Sequence, residues 1–476
     1  MGPEFTPIPH IPHRRSSPVC FALEDYYGIA PVTMADPKDL KIAIIGAGMG
    51  GLGCALALAR KGFRHIDVYE TASNLGFVGA GIQMPPNVVR TLDRLGCWPE
   101  IEKEATDVKG SSIRQGSTNK ELAHVDMPNI RELYGFPHCN GHRSSLAGGM
   151  YDACKEQSAI TFHFASSVDK VVAFEPEPTF TIQPRDGEAY TVESDVLLAC
   201  DGIKSIVRSS LLETLGLEGL EEETGQAAYR IMLTREQMAD DPELLALLDS
   251  DDVIRWIGEK RHIIAYPIAS HTIYNLSTTQ PDSNFAAATN ATYTTKGSKS
   301  AMLGVFHDFC PLVHRMLNLV PDGQVCEWRL RMHKPLPTWV HTRGPVALLG
   351  DACHPTLPHL SQGAAMAIED GSVVAEVLAR APATDPATLR RCLKTYELSR
   401  REWCSQLVNM AFLSGKQLHL GEGKAKEERD RMFAEHKSAG AVPDKWASPD
   451  VQKMIYSNDC VANIERDFDD FYSSLA

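Results

Sequence analysis

From Leu40 the chain passes from unpatterned sequence into short apolar runs separated by glycine turns and helical stretches. Lys41-Ile-Ala-Ile-Ile45 reads as a buried strand, a glycine-rich turn follows, and residues 51–61 read as a helix. Residues 66–69 form a second apolar strand ending at Glu70, so this segment begins a βαβ unit. Two further apolar strands, 196–200 and 345–349, lie far downstream. A nucleotide-binding sheet with its strands dispersed this widely must carry an insert. Residues 220–330 are the candidate, because β-like runs at 253–257, 262–267 and 272–277 alternate there with turns. Beyond 389 the sequence is helical and charged, as in Glu427-Glu-Arg-Asp430, the pattern of solvated helix faces. Residues 1–39 lack periodicity and are expected to form a disordered extension, with Met1-Gly-Pro-Glu-Phe5 resembling a cloning scar. The expected divisions are 40–219 and 331–400 for a nucleotide-binding domain in two parts, 220–330 for a substrate domain and 401–476 for C-terminal helices.

Composition narrows the function. Of 476 residues, 43% are hydrophobic and 23% charged, as in an ordinary folded protein. Acidic residues outnumber basic ones, 61 to 47, and the net charge of -14 repels nucleic acid and anionic membranes. No apolar run approaches the roughly 18 residues of a membrane span, so a soluble, cytoplasmic protein is expected. Twelve cysteines without a CxxC pair or zinc-type spacing point to free thiols in a reducing compartment. The sequons at Asn275 and Asn290 read as chance occurrences.

Gly46-Ala-Gly48-Met-Gly-Gly51 follows a strand and opens a helix. Such glycines allow a tight turn and close approach of a pyrophosphate, which the helix N-terminus then faces. Glu70, at the end of the next strand, suits a ribose diol and disfavours a 2′-phosphate. FAD and NAD both remain open on these residues alone.

Two later segments make a resemblance specific. Ala199-Cys-Asp201-Gly202 closes one strand, and Leu349-Gly350-Asp351-Ala-Cys-His354-Pro355 closes another and leads into Gln362-Gly363-Ala364. With the glycine turn, these match in order and spacing the motifs of the class A flavoprotein monooxygenases, the para-hydroxybenzoate hydroxylase fold. Gly79-Ala-Gly-Ile-Gln-Met-Pro-Pro-Asn87 and Leu357-Pro-His359 look most like the salicylate hydroxylase branch. The resemblance covers residues 40 to 410. It implies an α/β fold, a Rossmann-like FAD-binding domain with an inserted mainly β-sheet substrate domain and C-terminal helices. It also implies that FAD is held by Gly46, Gly48, Gly51, Glu70, Arg143, Asp201, Asp351 and the helix start at Gly363 and Ala364. NADH or NADPH would serve as reductant and O2 as co-substrate, with a flavin hydroperoxide attacking an activated aromatic ring.

That chemistry needs a group that favours a phenolate, and histidine is the natural candidate. The family places His262 and His359 near the substrate. In an extended strand His262, Ile264 and Tyr266 share one face, the side on which this family stacks its substrate against the flavin. Arg230 matches an arginine that contacts the substrate oxygen in related phenol dearomatases, and its guanidinium suits a carboxylate equally. The bland alternatives are a buried polar core for Tyr266, an ion-paired Arg230 and satisfied structural histidines at 262 and 359; His354 reads as structural. Gln83 stands where relatives acting on hydroxypyridine carboxylates carry histidine, and the WxWxIP element of flavin-dependent halogenases is absent. The expectation is an FAD-dependent, NAD(P)H-consuming hydroxylase of a hydroxybenzoate such as salicylate, with oxidative decarboxylation to a catechol. The alternatives are a hydroxylase or dearomatase of a polyketide phenol, a 6-hydroxynicotinate-type 3-monooxygenase and, remotely, an inactive flavin-binding interaction module. The expected partner is a small aromatic acid or phenol, with no metal; monomer and homodimer both stay open.

Overall fold

The computed structural model describes residues 36–76, 80–218, 220–285, 294–435, 445, 446 and 448–475. Of the expected disordered extension 1–39, residues 1–35 lie outside the described residues, as do Gly79 of the branch motif and Asn290, whereas Pro37–Asp39 forms a short 3-10 helix capped by Asp36. Lys41–Ile45 is buried from Ile42 onward, as a central strand covered on both faces must be. It sits third in a five-stranded sheet ordered Val346–Leu348, Val196–Ala199, Lys41–Ile45, His65–Tyr69, Ile160–His163. Every pairing in it is parallel. The helix Met49–Arg60 follows the glycine turn and packs so closely on the helix Gly363–Ala379 that a Cβ at Gly371 would lie 2.6 Å from the Cys54 backbone.

The second body is an eight-stranded sheet. Its order is Thr294–Lys296, Cys326–His333, Glu221–Thr234, Ile273–Pro281, Arg261–Ile268, Asp252–Gly258, Gly110–Gln115, Glu121–Asp126. The last two strands come from outside the 220–330 segment, Gly110–Gln115 pairing in parallel with Asp252–Gly258. Strand parity divides its faces. Tyr229, Ile231, Ile254, Trp256, Ile263, Ala265, Tyr274 and Leu276 pack beneath helices that include Pro311–Asn318. Arg230, Arg255, His262, Ile264, Tyr266, Asn275 and Ser277, the residues between them in sequence, face the nucleotide-binding sheet's motifs across a cavity.

The C-terminal region is helical as expected. Asp385 caps the helix Pro386–Leu418, accepting from the Thr388 amide at 3.0 Å, with Pro386 at the first turn. At 33 residues this helix runs about 50 Å along the molecule and ends at His419. Every described cysteine is a free thiol. Among the described residues no helix is long and apolar enough to cross a membrane. Asn275 is buried with its side chain turned to the cavity, so its sequon is not an accessible acceptor.

Candidate active site

The glycine turn has steric reasons that separate its members. Gly46 holds φ +95°, and a Cβ there would meet the Cys200 carbonyl oxygen at 2.5 Å; one at Gly51 would meet the Gly46 oxygen at 1.9 Å. Both are needed by the protein's own packing. Gly48 has no described atom within 4 Å of a Cβ, and it borders the cavity. Its missing side chain therefore leaves room for something outside the chain. Glu70 accepts the Ala47 amide on Oε2 and the Ala72 amide on Oε1, both at 2.8 Å, and so ties the turn to the next strand.

The cavity, of about 380 Å³, is bordered on this side by Gly48, Arg143, Asp351, Gly363 and Ala364. Arg143 opens the helix Arg143–Lys155, its amide bonded to the Ala80 carbonyl at 2.8 Å. Its guanidinium has no hydrogen-bond partner among the described residues. Burial pushes its pKa down, and Asp351 is the opposing pull. The Gly363–Ala379 helix starts without a side-chain cap bond, leaving amide donors at the cavity edge. An open glycine turn, an unpaired guanidinium, an uncapped helix start and a carboxylate on one wall suit the phosphates and hydroxyls of FAD. Asp201 stands apart: its Oδ2 accepts the Ile206 and Val207 amides at 2.9 and 3.4 Å, and its neighbours Cys200 and Gly202 border the cavity instead.

The opposite wall is the sheet. Arg230, Ser277, Ile264 and Arg255 form one cross-strand row, with Tyr266 paired to Asn275 and His262 to Thr279 on either side. Arg230 lies 4.9 Å from the Trp328 ring centroid. Burial foremost, then Arg143, lowers its pKa to about 10, while Tyr266 opposes the shift. Burial raises the Tyr266 phenol, and Arg230 draws it back. Asn275 accepts the Gly81 amide at 2.7 Å, and Gln83 accepts the Ser361 hydroxyl at 2.5 Å.

His262 Nδ1 lies 2.7 Å from His419 Nε2. Burial, then His419, His359 and Arg255, hold His262 well below the ordinary histidine range, so it is neutral at neutral pH. His359 does not border the cavity. It is 1% exposed, lies behind His262 with ring centroids 5.3 Å apart, and both its ring nitrogens are buried without a partner among the described residues. Gly415 makes its room, since a Cβ there would meet His359 Nε2 at 2.7 Å. His354 is tied into a buried network: its Nε2 meets Asp370 at 2.6 Å, and Asp370 also binds the Gly350 amide and Arg400. The structure thus gathers Arg230, His262 and Tyr266 with Gly48, Arg143, Asp351, Gly363 and Ala364, and sets His359 and Asp201 behind the walls. Arg255, Asn275 and Thr279 were not singled out as site residues from sequence, although strand parity would have found them. His419 carries no local signal.

The FAD binding domain family model matches residues 39–271. The 3-hydroxybenzoate 6-hydroxylase 1 of Aquipseudomonas alcaligenes is 33% identical over 394 residues, 82% of this chain and 93% of that protein. The FAD-dependent monooxygenase ntnJ of a Nectria species is 30% identical over 88% of this chain and 93% of its own. Among solved structures, a salicylate hydroxylase substrate complex aligns with a TM-score of 0.71 at 23% identity, covering 90% of this chain and 98% of that one. CtdE with FAD and its substrate aligns at 0.75 and 18% identity, covering 92% and 100%. These two likenesses show a shared fold.

Proposed function

This chain belongs to the FAD-dependent aromatic monooxygenases, and from that premise we propose that it hydroxylates a phenol bearing an anionic group, a hydroxybenzoate such as salicylate, with NADH or NADPH as reductant. The observation that supports this most is the convergence of Arg230, Tyr266 and His262 from one sheet face onto the cavity bordered by Gly48, Arg143 and Asp351. When bound, FAD supplies the electron transfer from the nicotinamide to O2 and the delivery of one oxygen atom to the ring. Gly48 and Arg143 would receive its diphosphate and Asp351 its hydroxyls, and the uncapped start of the Gly363–Ala379 helix would favour negative charge beside it.

The protein's part is to prepare the ring. A phenol has a pKa of about 10 and is protonated at neutral pH. His262, neutral and with Nε2 free of partners among the described residues, takes that proton and leaves an electron-rich phenolate. Arg230 and Tyr266 hold the carboxylate or the phenolate oxygen, and the sheet keeps water from the ring. With salicylate, oxygen enters at the carbon that carries the carboxylate, CO2 leaves and catechol forms. A second reading is favoured by the 33% identity to a 3-hydroxybenzoate 6-hydroxylase, namely oxygen insertion without loss of CO2. The likeness to a fungal FAD-dependent monooxygenase keeps a larger polyketide phenol as the third.

The test is NADH consumption by the FAD-loaded protein with salicylate or 3-hydroxybenzoate, the product identified by mass. Catechol supports the first reading; 3-hydroxybenzoate gaining one oxygen supports the second. Stimulation by neither acid removes the hydroxybenzoate class. Gly48→Val is expected to leave the fold intact, since nothing described occupies that space, and to weaken FAD binding by about 10–100-fold through about 1–3 kcal/mol of overpacking. Fluorescence titration of the flavin-free protein measures it.

A further inference from the structure

A phenolic proton released at the sheet wall of the first cavity needs a path to water. His419, at the end of the Pro386–Leu418 helix, borders a second cavity of about 370 Å³ with Thr224, Gln226, Lys260, Leu357 and Lys416. The two cavities share no bordering residue. The His262 Nδ1 to His419 Nε2 contact, 2.7 Å long, spans the wall between them. The outward nitrogens, His262 Nε2 and His419 Nδ1, have no partner among the described residues. Each ring therefore has one nitrogen committed to the other and one turned to a cavity.

We propose that His262 and His419 form a two-imidazole relay that carries the phenolic proton from the substrate cavity to water in the second cavity. The phenol O–H bond breaks as His262 Nε2 gains the proton. The Nδ1 proton of His262 passes to His419 Nε2, and the Nδ1 proton of His419 passes to water. Both rings end neutral in the opposite tautomer, and protonation of the product oxygen by the reverse path resets them. The inference rests on the phenol reading above.

The surroundings favour transfer through the pair over storage on it. Arg255 faces both rings from the Asp252–Gly258 strand, and Arg230 lies across the same cavity as His262. Burial and Arg255 hold His419 at about 4. Lys260 and Lys416 add positive charge at the outer cavity, while Glu259 beside Gly421 is a carboxylate on that side. His359, from the Pro358–Leu360 turn, touches both rings but has no open nitrogen with which to pass a proton on. A standing imidazolium would meet these cations, whereas concerted transfer creates none.

The experiment uses the FAD-loaded enzyme with 4-hydroxy-3-nitrobenzoate, whose phenolate is yellow, bound at low pH and then jumped upward in a stopped-flow mixer. In His419→Gln the colour is expected about 10²-fold more slowly than in the unaltered enzyme, with probe affinity unchanged. In His419→Ala, which opens onto the second cavity, added imidazole is expected to restore the rate. Equal rates in the unaltered enzyme and His419→Gln, or no imidazole response in a folded His419→Ala, overturn the relay alone. Failure of both salicylate and 3-hydroxybenzoate to stimulate NADH consumption by the unaltered enzyme overturns the hydroxybenzoate reading and the relay with it.

Discussion

His262→Ala is expected to keep FAD and lose about 10²–10⁴-fold in kcat for hydroxylation, the usual contribution of a positioned general base. The ring borders the cavity, its Nδ1 is fixed by His419 at 2.7 Å, and burial keeps it neutral. A neutral imidazole oriented in this way has its lone pair or proton aimed at the substrate. Without it, the ring must ionise in solution before binding. The rate of the variant should therefore climb as pH rises toward the phenol value of about 10, while the unaltered enzyme is already flat at neutral pH. Steady-state product formation across pH, with flavin content checked by absorbance, measures both effects. A His262→Ala enzyme with unchanged kcat would remove the residue from the mechanism.

Arg400→Met is expected to cost about 3–5 kcal/mol of folding stability, because it strands two buried carboxylates. Arg400 Nε binds Asp370 at 2.9 Å and its Nη2 binds Glu369 at 2.8 Å, with all three side chains 3% exposed or less. Asp370 in turn holds His354 and the Gly350 amide, next to the proposed FAD ligand Asp351. Loss of flavin should accompany the loss of stability. The network also sets a pH window. Burial opposes ionisation of Asp370, but His354 and Arg400 overcome it and bring its pKa to about 2 from 3.8. That stabilisation is complete above 3.8 and is lost as pH falls through 2. His354 is raised well above 6.5 by Cys404, Cys353 and Asp370 against the effect of burial, so its share is complete below 6.5 and lost as pH rises through the raised value. The Arg400→Met penalty, read by denaturant titration, should be full above about pH 4 and shrink as pH falls toward 2, where Asp370 is protonated. A change under about 1 kcal/mol there would mean that the network relaxes freely.

What sequence could show depended on how local the cause was. The strands at 41–45 and 66–69 were legible because Ile42–Ile45 is an uninterrupted apolar run and Ile66, Val68 and Tyr69 are buried apolar positions broken only by Asp67. Ile160–His163, at the sheet edge and only partly buried, has no such run. The same-face arrangement of His262 and Tyr266 needed only the period of two within one strand, and both reach the cavity. His359 was read from its motif, but its depth is set by Gly415 on a helix distant in sequence. Arg400 gave no sign of its role, since an arginine in a charged helical stretch ordinarily meets water. Gly110-Ser-Ser-Ile-Arg-Gln115 is too polar to announce a strand, and its place comes from pairing with Asp252–Gly258.

The order of the parallel sheet governs how the protein is made. Lys41–Ile45 is flanked by Val196–Ala199, whose far edge waits for Val346–Leu348. The glycine turn near residue 48 thus leaves the ribosome some 300 residues before Asp351, which at roughly 5–20 residues per second is about 15–60 s. During that interval no complete flavin site exists. Cofactor loading at the proposed site is consequently a late event in biosynthesis, open only once the strand Val346–Leu348 and the Asp351 turn after it have been made.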